Sequence, residues 1–272
     1  MIPLLVANVP WCDETEDPLP VLAHILGVRV DELSELVLIK KSLDARHKKQ
    51  NWRAIYRVTV FDEEKVLGRS IPSVRAWTPR DEGRYGLDVR GPDLVENWPE
   101  NIRPIVIGAG PAGLFAALYL AEAGAKVRLI ERGEPVEKRI RTVSAFWRKK
   151  TTLNENSNLV FGEGGAGTFS DGKIYTRRRD GELGYIFRRL VDFGAPSSIL
   201  HEAWAHLGTD KVRKILPVFR ARLLELGVEA IYETTVTAFL REDDQCVGVE
   251  LSDGRSLNGA PVLVAAGHSA RD

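Results

Sequence analysis

Two hydrophobic periods alternate along this chain, and the places where one gives way to the other mark its elements. Ile2 to Val9 is a nearly unbroken apolar run and predicts a strand. Asp17-Pro18 then introduces a helical stretch, Leu19 to Leu26, which Gly27 closes in the position of a C-cap. Glu35 to Lys41 and Ala54 to Phe61 (AIYRVTVF) predict two strands, the second rich in β-branched and aromatic residues. Strand, helix, strand, strand in that order suggests a small α+β domain. Residues 78–101 hold Pro, Gly and charge without a periodic run and are expected to form a linker. The expected division is therefore residues 1–100 and 101–272.

The second part has a different rhythm. Ile105-Val106-Ile107 is short and continuously apolar, as suits a parallel strand covered on both faces. Gly108-Ala109-Gly110-Pro111-Ala112-Gly113 follows at once, then an apolar helical stretch from Leu114 to Ala123, a stop at Gly124, and a second strand, Lys126 to Ile130, ending in Glu131. Further along, His206 to Asp210 precedes a helix that Thr209 or Asp210 is expected to cap. That helix runs out at Leu226 and Gly227, and Val228 to Ile231 predicts a strand. An extended stretch begins at Thr234, and Ser252-Asp253-Gly254 between Cys246–Leu251 and Arg255–Leu257 reads as a hairpin. Pro261 to Gly267 reads as a buried strand that ends in small residues. The fold class is α/β, a Rossmann-like dinucleotide-binding domain with a β-meander behind a small α+β domain.

Each position of the glycine-rich turn has a physical task. Gly108 permits the tight exit from the strand, Gly110 lets backbone approach a pyrophosphate, and Gly113 lets helix and sheet pack closely. Pro111 and Ala112 open the helix, whose N-terminus offers unpaired N–H groups and a positive dipole end to phosphates. Glu131 can accept from ribose hydroxyls, disfavours a 2′-phosphate, and is followed by Arg132. The turn alone does not separate FAD from NAD.

Composition narrows the remaining chemistry. The 38 basic and 38 acidic side chains cancel, so charge gives no support to a nucleic-acid or anionic-membrane partner. The basic stretch Arg46-His47-Lys48-Lys49 and the run Arg177-Arg178-Arg179 read as solvated charge. Cys12 and Cys246 are far apart, which removes a disulfide framework, a cysteine zinc site and a dithiol reductase pair, and suits a cytoplasmic setting. No apolar run approaches the ~18–20 residues that span a bilayer. His201-Glu202 and His206 have H-E-x-x-x-H spacing, which on a helix parts the histidines rather than aligning them on a metal.

Between the two halves of this domain lies Asn154 to Lys173, NENSNLVFGEGGAGTFSDGK, with four glycines within six residues. With the dinucleotide turn and the Gly267-His268-Ser269-Ala270-Arg271-Asp272 ending, this string resembles a family of bacterial FAD-dependent dehydrogenases within the two-dinucleotide-binding-domain flavoproteins. The resemblance implies FAD as cofactor, hydride transfer through the flavin, and NAD(P)H as a candidate electron donor. It implies that the backbone at Val236 lies against the adenine, and that Ala265-Ala266-Gly267, where the superfamily often has Ala-Thr-Gly, packs beside the cofactor. Gly164, Gly165 and Ser170 are expected near the flavin ring, Arg139 at the pyrophosphate, and Lys173 on the flavin or substrate side. The pattern suggests the front portion of a longer flavoprotein, and it names no substrate and no catalytic acid or base. Two alternatives stand beside it: a flavin monooxygenase, and a non-catalytic module using Arg46 to Lys49 for RNA or protein contacts.

Overall fold

The computed structural model describes residues 2–11, 17–44, 51–85, 91, 93, 95, 98–174, 181–202 and 206–268. The basic stretch at 46–49, the arginines at 177–179 and residues 269–272 lie outside them. The chain divides into two compact units.

The first unit holds strands β1 (Leu4–Trp11), β2 (Leu33–Asp44), β3 (Asn51–Val60) and β4 (Val74–Ala76), with helices α1 (Leu19–Leu26), α2 (Glu63–Gly68) and α3 (Pro79–Tyr85). The strands form one sheet in the order β2-β3-β1-β4 with antiparallel neighbours. Leu4, Val6, Tyr56 and Val58 pack with Leu22 and Leu26 of α1, whereas Leu5, Ile39 and Trp77 form a separate cluster. Successive residues of β1 thus enter different clusters, which is why that strand reads as a continuous apolar run. An irregularity between Val6 and Val9, with Asn8 at φ +59°, keeps both valines in one cluster.

Helix α3 lies inside the stretch expected to be a linker. It is polar and short, so periodicity does not reveal it; its order comes from buried Asp81, which accepts from Arg75 Nη1 and Nη2 (2.7 and 2.6 Å) and from the N–H of Thr78 (2.9 Å). Nor do the units follow a single cut near residue 100. The first takes in residues 1–90 and also 174–191 and 196–206. The returning segment adds to its sheet edge, where the Lys41 N–H donates to the His201 carbonyl at 2.7 Å.

The second unit is built on β5 (Ile105–Ile107), β6 (Arg128–Ile130), β7 (Glu229–Ile231) and β11 (Val262–Val264), a parallel sheet in the order β11-β5-β6-β7. A meander of β8 (Val236–Glu242), β9 (Gln245–Leu251) and β10 (Ser256–Asn258) packs against it through Val249 and Leu251 on Ile105 and Ile130. Helix α4 (Pro111–Glu122) buries Leu114, Ala117, Leu118 and Ala121. Helices α5 (Val136–Trp147) and α7 (Thr209–Glu225) belong to the same unit, and α6 (Gly181–Asp192) lies between them in sequence. The N-cap of α7 is Gly208, without a side-chain cap; the Thr209 hydroxyl donates to the Ser170 carbonyl instead (2.6 Å), so neither Thr209 nor Asp210 caps the helix. Strand β11 is not the buried strand its composition suggests. It is the end strand of its sheet, and Leu263 and Val264 are 44% and 53% exposed. Among the described residues no helix is long and apolar enough to cross a membrane.

Candidate functional site

The strand, turn and helix around Gly108 form as their sequence requires. Gly108 takes φ +102°, which an L side chain resists. A Cβ on Gly113 would stand 1.8 Å from the Gly108 carbonyl oxygen, so helix and turn approach there as only glycine allows. Gly110 differs from both: a Cβ built on it meets nothing within 4 Å, because that side of the turn faces open space.

That space is a cleft of about 400 Å³. Its walls come from the turn (Gly108, Gly110, Pro111, Ala112), the end of β6 (Glu131, Arg132), the glycine loop (Phe161, Gly162, Gly165, Ala166), the entry to β8 (Thr234, Thr235, Val236) and the segment after β11 (Ala266, Gly267, His268). Regions far apart in sequence thus meet at the C-terminal ends of the parallel strands, where nucleotides bind in open α/β sheets.

Glu131 is buried and serves the turn directly. One carboxylate oxygen accepts from the Ala109 N–H at 2.6 Å and the other from the Gly133 N–H at 2.7 Å. Each oxygen keeps a further lone pair for a ligand hydroxyl. The second glycine loop docks onto the first turn, with the Gly164 N–H donating to the Ala109 carbonyl at 2.8 Å. Beside Glu131, the Arg132 guanidinium lies 4.7 Å from the centroid of the Phe161 ring, and His268 meets that ring edge-on at 6.1 Å.

Four residues of the expected set do not line the cleft. Gly113 holds helix to turn, Gly164 is buried under Leu216, and Ser170 is exposed, its hydroxyl accepting from the Gly172 N–H at 3.3 Å. Arg139 is the clearest departure. It is wholly buried, its Nε donates to the Asn158 carbonyl (2.9 Å) and its Nη1 to the Glu163 carbonyl (2.7 Å), and it passes so close to Gly162 that a Cβ there would lie 2.5 Å from its Cδ. Burial pulls its pKa down to about 10, against the pull of the Glu131 and Glu163 carboxylates, so it remains a cation at neutral pH. Arg139 therefore holds the loop from behind. Lys173 likewise is absent from the cleft wall and pairs with Asp171 at 2.8 Å.

Sequence reasoning also left out Phe161, Gly162, Ala166, Thr234, Thr235 and His268, which line the cleft. For Phe161 and His268 a signal existed, since each adjoins a glycine of a loop already singled out. The threonines carry no local mark.

The donor set suits a flavin dinucleotide: open backbone at Gly110, a helix N-terminus, a buried carboxylate, and an aromatic ring with a guanidinium over it. Residues 103–146 match the FAD binding domain family. An uncharacterized protein from Clostridium beijerinckii is 37% identical over 250 residues, covering 91% of this chain; the chain spans 45% of that protein's length. Among solved structures, Thermovibrio ammonificans THI4 aligns with 62% of this chain and 58% of its own at 15% identity and a TM-score of 0.41. L-proline dehydrogenase from P. horikoshii aligns with 64% of this chain and 55% of its own at 19% identity and a TM-score of 0.34. The strand–glycine turn–helix geometry falls within the stretch that matches the FAD binding domain family, so the second unit carries a Rossmann-like FAD-binding motif.

Proposed function

We propose that this chain carries the cofactor-binding part of an FAD-dependent oxidoreductase that moves hydride through the bound flavin, with NADH or NADPH as electron donor. The observation that carries the reading is the docking of two glycine-rich loops, Gly164 N–H on the Ala109 carbonyl, around a cleft that also contains Glu131 and the start of α4. The N–H groups of the first turn of α4 have no acceptor within the helix and would hold the pyrophosphate. Glu131 would accept from the ribose. Val236, with Thr234 and Thr235, would line the adenine end, and Gly165, Ala266 and Gly267 the continuation toward the ring. Bound flavin supplies the hydride acceptor, and the protein supplies binding, orientation and exclusion of water.

The test is an absorbance spectrum of the purified chain before and after FAD is added, followed by anaerobic NADH and NADPH. Flavin bands that bleach with either nucleotide support the reading. A folded protein that ignores excess FAD overturns it, and bleaching seen only with an oxygen-accepting substrate present, followed in air by oxygen insertion into that substrate, redirects it to a monooxygenase.

A further inference from the structure

We propose that Glu163, which does not touch the cleft, is the positioning residue of the cofactor site, fixing the lining loop through a buried carboxylate cluster with Arg220 and Tyr232. The inference rests on the FAD reading above. Gly162, Gly165 and Ala166 line the cleft, and glycine-rich backbone loses more conformational freedom than any other when it is ordered. Something outside the cleft must therefore hold it.

Glu163 is wholly buried, and its carboxylate gathers donors from three parts of the chain. The Val136 N–H at the start of α5 donates at 2.7 Å, Arg220 Nη1 of α7 at 2.6 Å, and the Tyr232 hydroxyl after β7 at 2.6 Å. Its backbone is tied as well: the N–H donates to the Glu134 carbonyl (3.2 Å), and the carbonyl accepts from Arg139 Nη1 (2.7 Å) and the Thr168 hydroxyl (3.2 Å). Arg220 is itself braced by Glu137 at 2.5 Å. The next residue, Gly164, passes this placement to the dinucleotide turn through its bond to Ala109.

A carboxylate is a poor choice if stability is the only requirement, because an apolar side chain of similar volume avoids desolvating a charge. Burial indeed pushes the Glu163 pKa up, while Tyr232, Val136 and Arg220 pull it back. What the charge provides is direction. Three donors on separate elements fix one side chain in one place, and with it the loop.

Glu163→Gln and Tyr232→Phe test the assignment, with FAD affinity from quenching of flavin fluorescence, visible circular dichroism of the bound flavin, and melting of the flavin-free protein. Glu163→Gln is expected to weaken FAD binding about tenfold or more, since it leaves buried donors mismatched. It should also alter the visible dichroism, at a cost of about 1–3 kcal/mol in the stability of the flavin-free protein that still leaves it folded. Tyr232→Phe should move affinity and dichroism in the same direction by less. Unchanged affinity and dichroism in both variants overturns the proposal, as does an affinity loss that only tracks a collapse in melting temperature. Wild-type protein that takes up no FAD overturns the cofactor reading itself, an outcome distinct from a wild type and a Glu163→Gln variant that bind equally well.

Discussion

The Glu131 carboxylate accepts a 2.6 Å hydrogen bond from the Ala109 N–H, so the acid at the end of β6 fastens the glycine turn at the end of β5. The residue expected to read a ribose is thereby also a brace for the turn that would meet the pyrophosphate. In Glu131→Gln one carboxylate oxygen becomes an NH2 group, which faces either Ala109 or Gly133 donor to donor. The expected result is FAD affinity reduced about tenfold to a hundredfold, with a loss of about 1–3 kcal/mol in the stability of the flavin-free protein. Isothermal titration with FAD and chemical denaturation measure the two effects. Unchanged affinity would mean that the carboxylate is only a brace.

Gly110 and Gly113 of the turn should separate by experiment. Gly110→Val adds a side chain to open space and should leave a folded protein that no longer binds FAD. Gly113→Ala puts a methyl carbon 1.8 Å from a backbone oxygen, a clash that no rotamer relieves, and should cost about 3 kcal/mol of stability. Circular dichroism melts and flavin spectra of the two variants decide it. A Gly110→Val protein that binds FAD normally would place the pyrophosphate elsewhere.

The turn and the acid 22 residues beyond Ala109 were legible because each is fixed by local backbone geometry: a strand must exit, a helix must begin, a carboxylate must stand at the next strand's tip. The hairpin at Ser252-Asp253-Gly254 was legible for the same reason. Helix α3 was not, because its order comes from the buried Asp81 carboxylate and its partners rather than from an apolar stripe. The return of residues 196–206 to the first unit was hidden, since sheet-edge pairing leaves no periodicity. For Arg139 the resemblance points to the pyrophosphate and says nothing of burial. Yet Arg139 shares the buried face of α5 with Val136 and Val143, at spacings of three and four residues, and that spacing was the available clue.

Arg139 itself carries a prediction. Its guanidinium reaches two carbonyls, of Asn158 and Glu163, that a single ammonium does not span in the same geometry. Arg139→Lys is therefore expected to lower stability by about 2–3 kcal/mol and to weaken FAD binding through the loop rather than through lost charge at the phosphates. The salt dependence of FAD affinity distinguishes the two routes. A slope equal to that of wild type fits a residue behind the loop, and a clearly reduced slope would put Arg139 in contact with the pyrophosphate.

Glu163 should leave a signature in the pH dependence of stability. Burial, the largest influence, and the nearby Glu137 carboxylate raise its pKa, and the bonds from Tyr232, Val136 and Arg220 offset only part of the rise. A carboxyl whose folded pKa lies above its unfolded value binds a proton more tightly in the native state. Its favourable contribution is complete below the unfolded pKa, about 4.3, and is lost as the pH rises through the folded value. Glu163→Gln has no such proton to lose. In flavin-free protein, the stability of wild type relative to Glu163→Gln should therefore fall as the pH rises from about 4.3 through the folded pKa and level off above it. Other titrating groups are common to both proteins and cancel in the difference, apart from Arg220, Glu137, Tyr232 and Arg139, which are coupled to the substituted side chain. Denaturant midpoints of the pair, measured across that range, give the curve. A difference that instead grows in favour of wild type with rising pH would show that the three donors outweigh burial and that the carboxylate stabilises the fold as well as placing the loop.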